Sequence, residues 1–184
     1  MRGVPRLTDT RSRIKVAALR LFATGGFQQT SLRDIAEQLG ITKAALYHHF
    51  PSKEALLTEL LQPLGEDLET FLMQAAAADR GPREVLQAYY DVCLRHRVLY
   101  RWLRSDAQLG HERLDVMRPL LHWRTRLEDI LRDGAAGDRV RVVVALGGLQ
   151  DCVVLLADPP DDAVRTAAVE AALRALSPPP PGAA

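Results

Sequence analysis

In the stretch "ITKAALYHHFPSK", a lysine, a tyrosine and two histidines stand at Lys43, Tyr47, His48 and His49, with a second lysine at Lys53. Successive helical residues turn by about 100°, so Lys43, Ala44, Tyr47 and His48 fall on one side and Ala45 and Leu46 on the other. An ammonium, a phenol and an imidazole on one side can donate hydrogen bonds to an anion, and the small Ala44 lets it come close. A metal site is not expected, because adjacent His48 and His49 diverge and no Cys stands nearby. Catalysis is not expected either. The chain shows no nucleophile-base pairing, no metal spacing and no phosphate loop, so no cofactor is implied, and Asp91, His96 and His111 would have to converge by tertiary contact.

The elements that must present this side can be read from spacing. Ile14, Ala17, Ala18, Leu21 and Phe22 mark a first helix over 9–24, stopped by Gly25 and Gly26. Ser31 and Asp34 form a capping pair before Leu32, Ile35, Ala36 and Leu39, and Gly40 supplies a tight turn. Thr42 caps a third helix that reaches about His49 and yields at Phe50, because the residue before Pro51 avoids helical angles. A helix, a glycine turn and a short second helix match the helix-turn-helix, whose second helix enters the major groove of DNA. In that setting Lys43 neutralises a phosphate or reads guanine, Tyr47 donates to a phosphate oxygen, and Lys53 anchors the backbone beside a helix start.

Charge supports the same placement. The chain has 184 residues and a formal charge of only +1, yet residues 1–55 hold nine Lys or Arg against four Asp or Glu, and the remainder is net acidic. A basic module on a neutral body is the pattern of a localised polyanion reader. The chain is 47% hydrophobic, enough for a proper core, and 26% charged, which excludes the disordered class. No run of 18 apolar residues and no signal-type core occur, so a cytoplasmic protein without a membrane partner is expected. Cys93 and Cys152 lie far apart among apolar neighbours and are read as buried core residues.

Beyond Ser52, which caps again, a long helix carries the stripe Leu57, Leu60, Leu61, Leu64, Leu68, Phe71, Leu72 and Ala75. Pro63 interrupts it and is expected to kink or split it, as a hinge or as a mere break. Further helices are predicted over 83–95, 98–107, 112–133, 138–157 and 161–176, and "SPPPPGAA" is an extended tail. The fold class is all-α: a three-helix domain over 1–52, a helical body over 53–177 and a tail over 178–184. Phe71, Tyr89, Cys93, Tyr100, Trp102, Leu103, Met117, Leu121 and Trp123 gather aromatic and sulfur side chains in the body, where they line a ligand cavity or fill a core. The segment "RVRVVVALGGLQDCVVLLAD" is apolar on nearly every side, through Val142, Leu146, Leu149 and Val153. With Val164, Ala168, Ala171 and Ala172 of the last helix, it faces either its own core or a second subunit.

The run "AALRLFATGGFQQTSLRDIAEQLGITKAALYHHFPSKEALL", within about Ile14 to Leu57, resembles the N-terminal domain of the TetR family of bacterial transcriptional regulators. The resemblance implies a homodimer on a palindromic operator in double-stranded DNA, with a helical ligand-binding body and repression relieved by an unknown small-molecule effector. It also implies that the last two long helices pair between subunits. Carried over residue by residue, Thr42, Lys43, Tyr47, His48 and Lys53 are the DNA-contacting positions, with Thr30, Ser31 and Arg33 at the neighbouring helix start. Lys43 and Arg33 are expected at bases, Tyr47, His48, Lys53 and Thr30 mainly at phosphates, and the arm residues Arg2, Arg6 and Arg11 at the backbone or minor groove. His49 departs from the tyrosine or tryptophan often found there, which leaves its role between packing and phosphate contact.

Overall fold

A computed structural model describes residues 10–77, 80–105, 114–134, 139–156 and 160–177. Its elements there are helices: α1 Thr10–Gly25, α2 Leu32–Leu39, α3 Lys43–His49, α4 Lys53–Ala77, α5 Pro82–Arg95, α6 Arg97–Ser105, α7 Leu114–Gly134, α8 Arg139–Leu155 and α9 Asp162–Leu176. No strand occurs among the described residues. The all-α expectation therefore holds. The arm residues Arg2 and Arg6, His111 and the tail 178–184 lie outside the described residues.

The backbone clusters into two units. The first takes α1, α2, α3, α4 as far as Pro63, and α6 from Arg101; the second takes α4 from Leu64, α5, α6 as far as Tyr100, α7 from Met117, α8 and α9. Pro63 stands at the division, and the helix runs through it without a break. The expected split does not occur. A proline lacks one donor, so the carbonyl of Glu59 loses its usual partner while the rest of the ladder can continue.

In the first unit Ile14, Ala18, Phe22, Phe27, Ile35, Leu46, Phe50, Leu56, Leu57 and Trp102 are buried together. The rings of Phe22, Phe27 and Trp102 form its aromatic centre, with centroids 5.0 to 6.5 Å apart. In the second, α9 packs on α8 and α5, and α5 packs on α8. Arg165 donates to both carboxylate oxygens of Asp91 at 2.9 and 2.8 Å, joining α9 to α5. Bidentate geometry is what makes such a pair directional.

Candidate nucleic-acid interface

Caps set the position of each helix in the reader. Ser31 is the N-cap of α2, and the capping box is complete: Asp34 N donates to Ser31 Oγ at 3.2 Å and Ser31 N to the Asp34 carboxylate at 2.7 Å. The Ser31 N–H first, and then the Ser31 hydroxyl, which donates to Asp34 Oδ2 at 2.8 Å, hold the Asp34 carboxyl below its ordinary range. At the other end Gly40 is left-handed at φ 64°, with Gly40 N donating to Glu37 O and Ile41 N to Ala36 O, each at 3.1 Å. That is the Schellman closure, and only glycine enters it without a Cβ penalty.

Thr42 opens α3 with its Oγ1 accepting from Ala45 N at 3.1 Å. The hydroxyl accepts there and keeps its O–H to donate outward. Phe50 is extended at φ −137° before Pro51 and ends the helix. Only Leu46 of α3 is buried. Ala45, expected to point inward beside it, is exposed, because a seven-residue helix seated on one leucine covers a narrow stripe.

The outward side consists of Thr42, Lys43, Ala44, Tyr47 and His48, all exposed. Tyr47 is 42% exposed, and the Lys43 ammonium lies 5.5 Å from the centre of its ring. His49 is half-buried, its ring edge-on to that of His48 at 5.6 Å, and its carbonyl accepts from Arg11 Nη1 at 3.1 Å. Arg33 is exposed on α2 and paired to Glu37 at 2.7 Å. The sequence-derived set is thus brought together on α3, with Ser31 and Arg33 on the neighbouring helix.

Three expected DNA contacts are placed differently. Thr30 is buried, and its Oγ1 donates to Gly26 O at 2.9 Å. The Lys53 ammonium donates to the carbonyls of Phe27, Gln28 and Thr30. Arg11 pairs with Glu59 and lies 4.6 Å over the Phe50 ring. Hydrophobic periodicity holds no signal for the Lys53 and Arg11 contacts, since each of these long side chains reaches partners far away in sequence.

In the second unit, Phe71, Tyr89 and Trp123 pack ring to ring, at 6.2 and 5.6 Å. Tyr89 donates to Gln150 Oε1 at 3.0 Å. Cys93 is buried beside Tyr89 and Tyr100, and burial pushes its thiol up to about 12, which leaves it unreactive. Trp102 belongs to the first unit's core, as does the backbone of Leu103, so neither shares a unit with Tyr89. The side chains of Met117 and Leu121 lie outside the described residues.

Val142, Leu146, Leu149 and Val153 of α8 are buried within the chain's own core. The apolar side of α8 that remains open carries Val140, Val144 and Leu155, exposed at 70, 58 and 56%. Beside it on α9, Ala171 is exposed, Val164 half-buried, and Ala168 and Ala172 are buried. Between the two helices is a hollow of about 180 Å³, floored by Gly148, Ala168 and Ala172. Cys152 lines it and is half-buried, contrary to the expectation of a core residue.

Among the described residues, no cluster of three His, Cys, Asp or Glu could hold a metal ion. No helix among them is long and apolar enough to cross a membrane.

A capped helix, a left-handed glycine turn and a short helix with an open cationic side define a helix-turn-helix regulator. The family model described as bacterial regulatory proteins, tetR family, matches residues 14–60. The chain is 31% identical over 164 residues to the HTH-type transcriptional regulator BetI of Agrobacterium fabrum, covering 85% of this chain and 69% of that one. It belongs to the TetR family of bacterial transcriptional regulators. It is also 39% identical over 71 residues to the HTH-type transcriptional repressor KstR2 of Rhodococcus jostii, which spans 39% of this chain and 35% of that protein. The structure of the ketosteroid transcriptional regulator KstR2 of Mycobacterium tuberculosis superposes with a TM-score of 0.71, covering 95% of this chain and 97% of that one. At 21% identity that likeness is one of fold.

Proposed function

We propose that the protein is a cytoplasmic homodimeric repressor that binds a palindromic operator through α3 and leaves it when a small molecule enters the helical body. The observation that carries the reading is the open side of α3, where Lys43, Ala44, Tyr47 and His48 project from a helix anchored by Leu46. Lys43 reads a base edge or meets phosphate, Tyr47 and His48 donate to phosphates, Thr42 adds a hydroxyl at the start of α3, and Ser31 adds one once its O–H leaves the Asp34 carboxylate. Arg33 reaches a base once it exchanges Glu37 for DNA. Residues 1–52 form the reader, 53–177 the ligand-binding and dimerisation body, and 178–184 a tail.

The body's ring cluster of Phe71, Tyr89 and Trp123, with Cys93 and Tyr100, is the region offered to an apolar effector. The open side of α8 and Ala171 of α9 meet the same surface of a second copy, which sets two recognition helices on one face of the duplex. Repression is the sign supported by the relatives named as repressors, and nothing in the site favours catalysis.

The test is selection of bound fragments from sheared genomic DNA of the source organism at near-physiological salt. The wild-type protein is expected to enrich one palindrome that Lys43→Ala and Tyr47→Ala do not. No enrichment by the wild type, with or without cell extract as a source of effector, would sink the reading.

A further inference from the structure

The α1–α2 turn is a polar knot. Gly26 adopts φ 82°, and the carbonyls of Phe27, Gln28 and Thr30 then converge on one point, occupied by the Lys53 ammonium at 2.7, 3.3 and 3.0 Å. An ammonium has three N–H donors, and here three carbonyls receive them. The same charge lies 4.4 Å from the centre of the buried Phe27 ring, where a cation is further stabilised. Thr30 closes the turn from inside by donating to Gly26 O. Swinging Lys53 out to a phosphate would strip the partly buried carbonyls of Phe27 and Thr30 of this donor.

Position gives the knot its consequence. Thr30 immediately precedes Ser31, the N-cap of α2, and Lys53 is the first residue of α4, just beyond the end of α3. The bonds therefore tie the entry of the helix-turn-helix to its exit. We propose that Lys53 is a positioning residue for DNA binding: it fixes where α2 and α3 stand and does not itself contact a backbone phosphate. The inference rests on the DNA-binding reading above.

The test uses the duplex enriched in the fragment selection, with affinity measured from low to high salt for the full-length wild type, Lys53→Met and Lys53→Arg. Loss of charge-assisted hydrogen bonds should lower the affinity of Lys53→Met about tenfold or more. Its slope of log affinity against log salt should match the wild type, since a lost phosphate contact makes that slope shallower by about 0.9. Amides of residues 27–31 should exchange faster in Lys53→Met, and Lys53→Arg, which keeps a charged donor, should recover part of the affinity. A shallower slope would show a phosphate contact and overturn the inference. So would unchanged affinity, or a loss accounted for by the unfolded fraction in circular dichroism. A wild type that enriches no duplex overturns the DNA-binding reading instead, and this inference with it.

Discussion

The indole of Trp102 lies on the ring of Phe22, centroids 5.5 Å apart and planes 30° from parallel. Both side chains are buried in the unit that carries α3. Two residues earlier, Tyr100 is buried in the other unit with Cys93, so the nine-residue α6 places a ring in each of two cores.

Truncating the indole should loosen the unit that carries α3. Trp102→Ala is expected to cost about 3–5 kcal/mol, the range for large aromatic truncations in cores. Trp102→Phe should cost much less, because it keeps a ring on Phe22 and removes an Nε1 that meets no acceptor among the described residues. Urea unfolding of the three proteins checks the order. Equal losses for both variants would mean that the N–H, and not the ring, matters.

Glu59 makes the unit that carries α3 sensitive to acid. Arg11 by hydrogen bond, then Lys15, hold its carboxyl below the usual range. A depressed carboxylate stabilises the fold above the ordinary value of about 4.3, and that stabilisation is lost as pH falls through the folded value. Glu59→Gln should thus lower stability at pH 7 by about 1 kcal/mol, the usual size for a half-exposed pair. The difference from wild type should shrink toward zero below pH ~4. Thermal melts across pH 3 to 7 would show a constant difference if the pair contributes nothing electrostatic.

The turn of the helix-turn-helix tests backbone geometry alone. No atom lies within 4 Å of a Cβ built on Gly40, whose φ is +64°. Gly40→Ala should still cost about 1–2 kcal/mol, because an L-residue resists the left-handed region. Gly40→Asn should cost less, since asparagine tolerates it. Equal melting temperatures for the three proteins would argue that the turn rearranges.

The caps and glycine stops could be read in the sequence because each acts through residues three or four apart: Ser31 with Asp34, Thr42 with Ala45, Gly40 with Glu37. The helices expected over 83–95 and 161–176 are found to within a residue, and the expected ends at 107, 112, 138 and 157 lie outside the described residues. What spacing could not resolve were long cationic side chains. Lys53 and Arg11 look like phosphate contacts in one dimension, and their carbonyl and carboxylate partners lie 23 to 48 residues away. α8 failed for the opposite reason. It is apolar on nearly every side, so periodicity could not tell Val142, which is buried, from Val144, which is exposed.

That open side of α8 yields the sharpest test of the assembly. Gly148 is exposed at the hollow beside Ala171, and a Cβ there would meet nothing within 4 Å in its own chain. Gly148→Leu should leave the protomer folded and its melting temperature unchanged or raised, because leucine favours a helix over glycine by up to about 1 kcal/mol. If a second copy lays its α8 and α9 across the hollow, the new side chain fills space the partner needs. Overpacking of this kind typically costs about 1–3 kcal/mol, and near a twofold axis it acts twice. Sedimentation equilibrium should therefore show dimer dissociation strengthened by roughly tenfold or more, with DNA affinity falling most at low protein concentration. An unaltered dimer would place the interface on another surface, and the exposed Val140, Val144 and Leu155 would then need a different partner.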